Sequence, residues 1–190
     1  GTDYVNTLTK LCPTWMCPVL FVTAFVFGIL GALIGLACCK KHFAKAYKLA
    51  PSTQHLAQLA FVQFKANDFE GAEDSYQKLC TKSPDSLTFR YNYAVCLYET
   101  KKYTQAIAIL LPIVQQNPKS AAMAHRLALC FEAIGQIKNA ALIYEKIIKL
   151  GKVPAEIYLD YAHLLVFDAD YPKAENILKK LLILLIISLK

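Results

Sequence analysis

The sequence predicts an all-α chain in which one N-terminal transmembrane helix precedes an array of four helix-turn-helix repeats. Three observations carry this expectation. Alanines at Ala72, Ala106, Ala140 and Ala174 recur every 34 residues, and a second series, Ala60, Ala94, Ala128 and Ala162, keeps the same interval. A stretch without charged residues runs from Leu11 to Cys39 and leads into the basic cluster Lys40-Lys41-His42 directly after Cys38-Cys39. Between the alanines, apolar residues fall three and four positions apart, the periodicity of helices with one buried face.

The N-terminal elements follow from charge and length. Residues 1–17 form a segment on the trans side of a membrane, and residues 18–39 form the span. Val19–Cys39 holds 21 uncharged residues, enough for a helix of about 30 Å at about 1.5 Å per residue. A cleaved signal peptide would be shorter and would carry its basic residues in front. Here Lys10 alone precedes the span, while Lys40, Lys41, Lys45 and Lys48 follow it in a basic juxtamembrane linker, residues 40–52. The positive-inside rule therefore puts the repeats on the cytoplasmic, stromal or matrix side, in a single-pass protein that suits a mitochondrial or plastid membrane. Ala24, Gly28, Gly31 and Gly35 step by four, three and four, a small-residue face for packing against another transmembrane helix. Trp15 is a candidate interfacial aromatic.

Charge and cysteine usage exclude other classes. The formal charge of +7 is concentrated beside the span. From Pro51 onward there are 16 basic and 13 acidic residues, interspersed, so no nucleic-acid partner is expected. Seven cysteines include no Cys-x-x-Cys pair, so no metal site is expected. Cys80, Cys96 and Cys130 fall in the repeats as small buried hydrophobes. Cys12 and Cys17 can pair only in an oxidising compartment. Cys38 and Cys39 occupy juxtamembrane positions open to acylation in a eukaryotic cytoplasm.

The repeats divide residues 53–190 into units 53–86, 87–120, 121–154 and 155–188. In the first, Leu56, Leu59, Ala60 and Phe64 mark helix A. Asn67-Asp68 makes a turn, Phe69, Ala72, Tyr76 and Leu79 mark helix B, and Pro84 ends it. Pro112 lies inside helix B of the second unit, where a kink or a shifted hydrogen bond is expected.

This pattern resembles the tetratricopeptide repeat, a 34-residue helical hairpin. The match rests on alanine at positions eight and twenty of every unit. It rests also on Phe69, Tyr103, Ile137 and Tyr171 at position seventeen, on Tyr76, Leu110, Tyr144 and Leu178 at position twenty-four, and on Pro84 and Pro118 at position thirty-two. Position four departs from the usual aromatic, with Leu56, Arg90, Ala124 and Tyr158. The resemblance covers about three quarters of the chain and implies a right-handed superhelix that binds partners and carries no reaction.

It further implies that positions two, five, nine and twelve of each helix A face a ligand groove. These are Gln54, Ala57, Phe61 and Phe64; Thr88, Tyr91, Val95 and Tyr98; Ala122, His125, Leu129 and Glu132; and Glu156, Leu159, His163 and Val166. Members that grip acidic chaperone tails place basic residues here. Ala57 and Phe61 disfavour that ligand, and an amphipathic helix or apolar extended segment fits better.

The last helix runs into Leu181-Leu182-Ile183-Leu184-Leu185-Ile186-Ile187, too short to cross a bilayer. Leu182, Leu185 and Ile186 are expected to bury against a partner subunit, a second copy or the membrane surface, unless the chain continues past Lys190. Gly1 in place of an initiating methionine fits processing.

No glycine-rich phosphate loop, nucleophile motif or metal cluster occurs. Asp168 and Asp170, the nearest approach to paired carboxylates, fall in a turn. No enzyme activity and no cofactor are therefore expected. The expected function is that of a membrane-anchored scaffold, a subunit or assembly factor of a larger membrane complex. The alternative is a receptor for targeting sequences or client proteins at an organelle membrane, since import receptors and photosystem assembly factors with this repeat look similar in layout.

Overall fold

The computed structural model describes residues 29–151 and 153–188, and the regular elements within them are all helices. They are α1 (Ile29–Leu49), α2 (Thr53–Lys65), α3 (Phe69–Lys82), α4 (Leu87–Glu99), α5 (Tyr103–Gln116), α6 (Ala121–Ala133), α7 (Ile137–Lys149), α8 (Ala155–Phe167) and α9 (Tyr171–Ser188). The expected trans segment and residues 18–28 of the expected span, with Ala24 and Gly28, lie outside the described residues. Among those described, no helix is long and apolar enough to cross a membrane. Helix α1 joins the apolar residues Ile29–Cys39 to Lys40–Leu49 without a break. The basic stretch read as a linker is thus helical up to Leu49. Gly31 and Gly35 both belong to α1, and a methyl group built on Gly35 would meet nothing within 4 Å.

Two compact units divide the described chain, one ending at Ser75 and the other starting at Tyr76. In the first, α1 packs on α2, whose Leu56, Leu59 and Ala60 are buried. Ser52 caps α2 by accepting a hydrogen bond from the His55 N–H at 3.1 Å, satisfying one of the helix's unpaired donors. Lys40 forms an ion pair with Asp68, whose other oxygen accepts from the Gly71 N–H at 3.2 Å at the start of α3. The Lys40 ammonium holds the Asp68 carboxyl below its ordinary value.

In the second unit each helix packs against the next: α4 on α5, α5 on α6, α6 on α7, α7 on α8 and α8 on α9. Helices α4 and α6, the first helices of successive repeats, also touch. The repeat period is kept at every boundary. First helices begin at Thr53, Leu87, Ala121 and Ala155, and second helices at Phe69, Tyr103, Ile137 and Tyr171, each series at intervals of 34.

The eight alanines explain that regularity. All are buried, between 0% and 3% exposed. An alanine lets two helices cross closely, and larger side chains from neighbouring turns fill the space beside it. Those fillers recur too: Leu79, Ile113, Ile147 and Leu181 stand 34 apart and are all buried.

The turn between paired helices is equally periodic. Asn67, Lys101, Gly135 and Ala169 all adopt positive φ, between 56° and 74°. In each case the N–H of the following residue reaches back five residues, as from Asp68 to the Gln63 carbonyl and from Asp170 to the Leu165 carbonyl. This is the Schellman stop, which satisfies carbonyls at a helix C-terminus. Asp170 then accepts from the Lys173 N–H at 3.2 Å, so this turn carboxylate caps α9. Helix α5 runs through Pro112 to Gln116. The carbonyl of Ala108, which proline cannot serve, lies on an exposed residue where water can bind it.

Candidate functional site

A cavity of about 430 Å³ opens between the first helices of the second, third and fourth repeats, lined by Tyr91, Ala122, His125, Arg126, Leu129, Pro154, Glu156, Ile157 and Asp160. Tyr91 comes from α4, Ala122 through Leu129 from α6, and Glu156 through Asp160 from α8. Helical spacing puts His125, Leu129 and Glu132 on one face of α6, and Glu156 and Asp160 one turn apart on α8. Five of the residues at groove positions (Tyr91, Ala122, His125, Leu129 and Glu156) meet in this one depression.

Three of its lining residues, His125, Arg126 and Asp160, are engaged in pairs across repeats. His125 Nε2 lies 2.8 Å from Asp160 Oδ2, and the imidazole also meets the Tyr144 ring at 5.9 Å between centroids. Tyr144 in turn stacks on Tyr161 at 5.4 Å. The Arg126 guanidinium sits 4.9 Å from the Tyr98 ring centroid and 3.5 Å from Glu99 Oε1. Burial raises the Glu132 carboxyl above its ordinary value, and the nearby Asp160 charge pushes the same way. The Tyr144 hydroxyl donates to Glu132 at 3.5 Å. Burial also pushes the Cys130 thiol up to about 11, so this cysteine is an inert core residue.

The remaining expected groove residues are placed differently. Val95 is only 5% exposed and belongs to the core, because the α4 face that carries it turns inward. Phe64 and Tyr98 lie edge-on against Phe69 and Tyr103 of their own repeats, at 5.6 and 5.5 Å. Phe61, 54% exposed, lies in the other compact unit, with the Lys65 ammonium 5.5 Å from its ring centroid. His163 is exposed on α8. At the end of α9, Leu182, Leu185 and Ile186 are 45% to 58% exposed. Leu178 is 43% exposed, although Tyr76, Leu110 and Tyr144 at its repeat position are buried.

Two residues of the cavity, Arg126 and Asp160, stand at position six, which the groove pattern leaves out. A signal for them exists in the sequence, because position six is polar in every repeat: Gln58, Asn92, Arg126 and Asp160. The last three reach back to the preceding repeat, Asn92 by donating to the Tyr76 hydroxyl at 3.3 Å. Among the described residues, no group of histidine, cysteine and acidic side chains is arranged to hold a metal ion.

Residues 63–130 and 122–150 match two family models described as tetratricopeptide repeat, and residues 1–45 match one described as a hypothetical bacterial integral membrane protein. The antiviral innate immune response effector IFIT1 of Macaca fascicularis is 26% identical over an alignment of 160 residues that covers 73% of this chain. The chain spans only 34% of that relative's length. Among solved structures, MamA (residue 41 to its end) from Desulfovibrio magneticus RS-1 aligns with a TM-score of 0.70 at 17% identity, over 75% of this chain and 81% of that one. YrrB, described as a TPR protein with an unusual peptide-binding site, aligns with a TM-score of 0.66 at 15% identity, over 80% and 79%. Likeness at these identities is likeness of fold.

Proposed function

We propose that this chain, whose residues 63–150 are tetratricopeptide repeats, is a membrane-anchored scaffold that holds a segment of another protein in the groove of its second to fourth repeats. The observation that carries this reading is the cavity of about 430 Å³ shared by three successive first helices. Tyr91, Leu129 and Pro154 supply apolar contact, and the charged groups at its edge fix orientation. The peptide-binding site described for YrrB, which has the same fold, supports a peptide ligand.

The uncharged stretch Leu11–Cys39 and the match of residues 1–45 to a membrane-protein model support the anchor. In this reading residues 18–39 span the bilayer, Ala24, Gly28, Gly31 and Gly35 pack against a neighbouring span, and the repeats lie on the lysine-rich side. Leu178, Leu182, Leu185 and Ile186 of α9 receive an amphipathic helix of another subunit. Leu110 and Tyr144, the counterparts of Leu178 in the preceding repeats, are buried, and α5 and α7 each pack on the first helix of the next repeat.

Mild detergent extraction of the full chain, followed by native gels and mass spectrometry, tests the proposal. Comigration with a partner at fixed ratio, lost in the Tyr91→Ala/Leu129→Ala double variant, is the expected result for a complex subunit. Reversible capture of a client, lost in the same variant, is the result for a receptor. Retention of every partner by the double variant contradicts the groove reading.

A further inference from the structure

The charge of the groove selects its occupant. Four carboxylates, Glu99, Glu132, Glu156 and Asp160, stand in or beside the cavity between repeats two and four. The permanent cation among its lining residues is Arg126, and its guanidinium is taken up by Glu99 and the Tyr98 ring. His125 is engaged by Asp160. Glu156 is exposed at the rim, one turn before Asp160 on the same face of α8. A chain whose formal charge is +7 therefore presents an acidic groove. Burial and the neighbouring Asp160 charge disfavour ionisation of Glu132, a cost that an incoming cation relieves. Beside these acids lie Tyr91, Leu129 and Pro154, an apolar wall with an aromatic face suited to an ammonium or guanidinium.

We propose that the groove takes a basic amphipathic segment, one that sets apolar side chains against Tyr91, Leu129 and Pro154 and a lysine or arginine between Glu156 and Asp160. This rests on the reading that the groove holds a partner segment. It reverses the charge of an acidic-tail ligand: here the receptor supplies the carboxylates and the ligand the cation.

Three fluorescein-labelled 16-residue helical peptides test this by anisotropy against the full chain in neutral detergent. They share one leucine and alanine pattern and carry four lysines, four glutamines or four glutamates on the polar face. The lysine peptide is expected to bind at least ten-fold tighter than the glutamine peptide, and the glutamate peptide weakest. Glu156→Gln, a change at an exposed side chain, should reduce the preference for lysine over glutamine at least three-fold, as should Asp160→Asn. Equal or tighter binding of the glutamine or glutamate peptide, with loss on Tyr91→Ala, overturns the charge assignment while leaving the groove in place. Lysine-peptide binding that ignores both Tyr91→Ala and Leu129→Ala overturns the groove itself, as does failure of all three peptides to bind.

Discussion

His125 Nε2 and Asp160 Oδ2 lie 2.8 Å apart and tie α6 to α8, the first helices of the third and fourth repeats. The side chains are 13% and 35% exposed, so the bond is partly shielded and its worth is that of a modest hydrogen bond, about 1 kcal/mol or less after solvent screening. Asp160→Ala and His125→Ala should each lower the urea midpoint slightly. The double variant should cost less than the sum of the two, and strict additivity would mean that the pair is not coupled in solution.

Enlarging the buried alanines should cost far more. Ala128 and Ala140 are 0% exposed, and a leucine at either forces apart helices that now cross on a methyl group. Ala128→Leu is expected to destabilise by about 1–3 kcal/mol. Ala133→Leu, at an exposed position near the end of the same helix, should stay within about 0.5 kcal/mol of the parent. Equal thermal shifts in the two variants would show that the alanine series does not set the helix spacing.

The four left-handed turn positions make a sharper set. Lys101 and Ala169 hold φ of 62° and 59°, whereas Gly135 holds 74° at the same place in its repeat. A side chain there costs about 1 kcal/mol relative to glycine. Lys101→Gly and Ala169→Gly should therefore raise the melting temperature, and Gly135→Ala should lower it. A melting temperature lowered by Ala169→Gly would contradict the turn geometry.

Glu132 gives the pH dependence a sign. Burial, followed by the Asp160 charge, raises its folded value above 4.5, so folding favours the protonated form. The associated stability is complete below about pH 4.5 and is lost as pH rises through the raised folded value. Glu132→Gln, which keeps an acceptor for the Tyr144 hydroxyl, should leave stability at pH 4 unchanged and increase it at pH 7. Glu145 works in the opposite sense, because Lys173 holds its carboxyl low. Its contribution is present above the unfolded value and fades as pH falls. Chemical denaturation of Glu132→Gln and Lys173→Met across pH 3–8 separates the two.

Much of the architecture was legible because repeat packing imposes a period. Alanine at positions eight and twenty is required by helix crossing, and that requirement returns every 34 residues, so all eight alanines and the four pairs of helix starts could be read directly. The site was less legible, since facing the groove is a matter of rotation about a helix axis. Val95 keeps the groove register yet turns into the core. Phe64 and Tyr98 are committed to Phe69 and Tyr103. Asp160 and Arg126 escaped because they stand one position beyond the pattern, and their partners become apparent only when adjacent repeats are brought together. Leu178 keeps the register of Tyr76, Leu110 and Tyr144 and is nevertheless exposed, because no further helix pair covers it among the described residues.

The groove itself is tested most directly by photocrosslinking in the native membrane, with p-benzoylphenylalanine placed at Leu129 inside the cavity or at exposed Leu142 on α7. A discrete adduct from position 129 and none from position 142 is the outcome the proposed scaffold predicts. An adduct from position 142 with nothing from position 129 would contradict it.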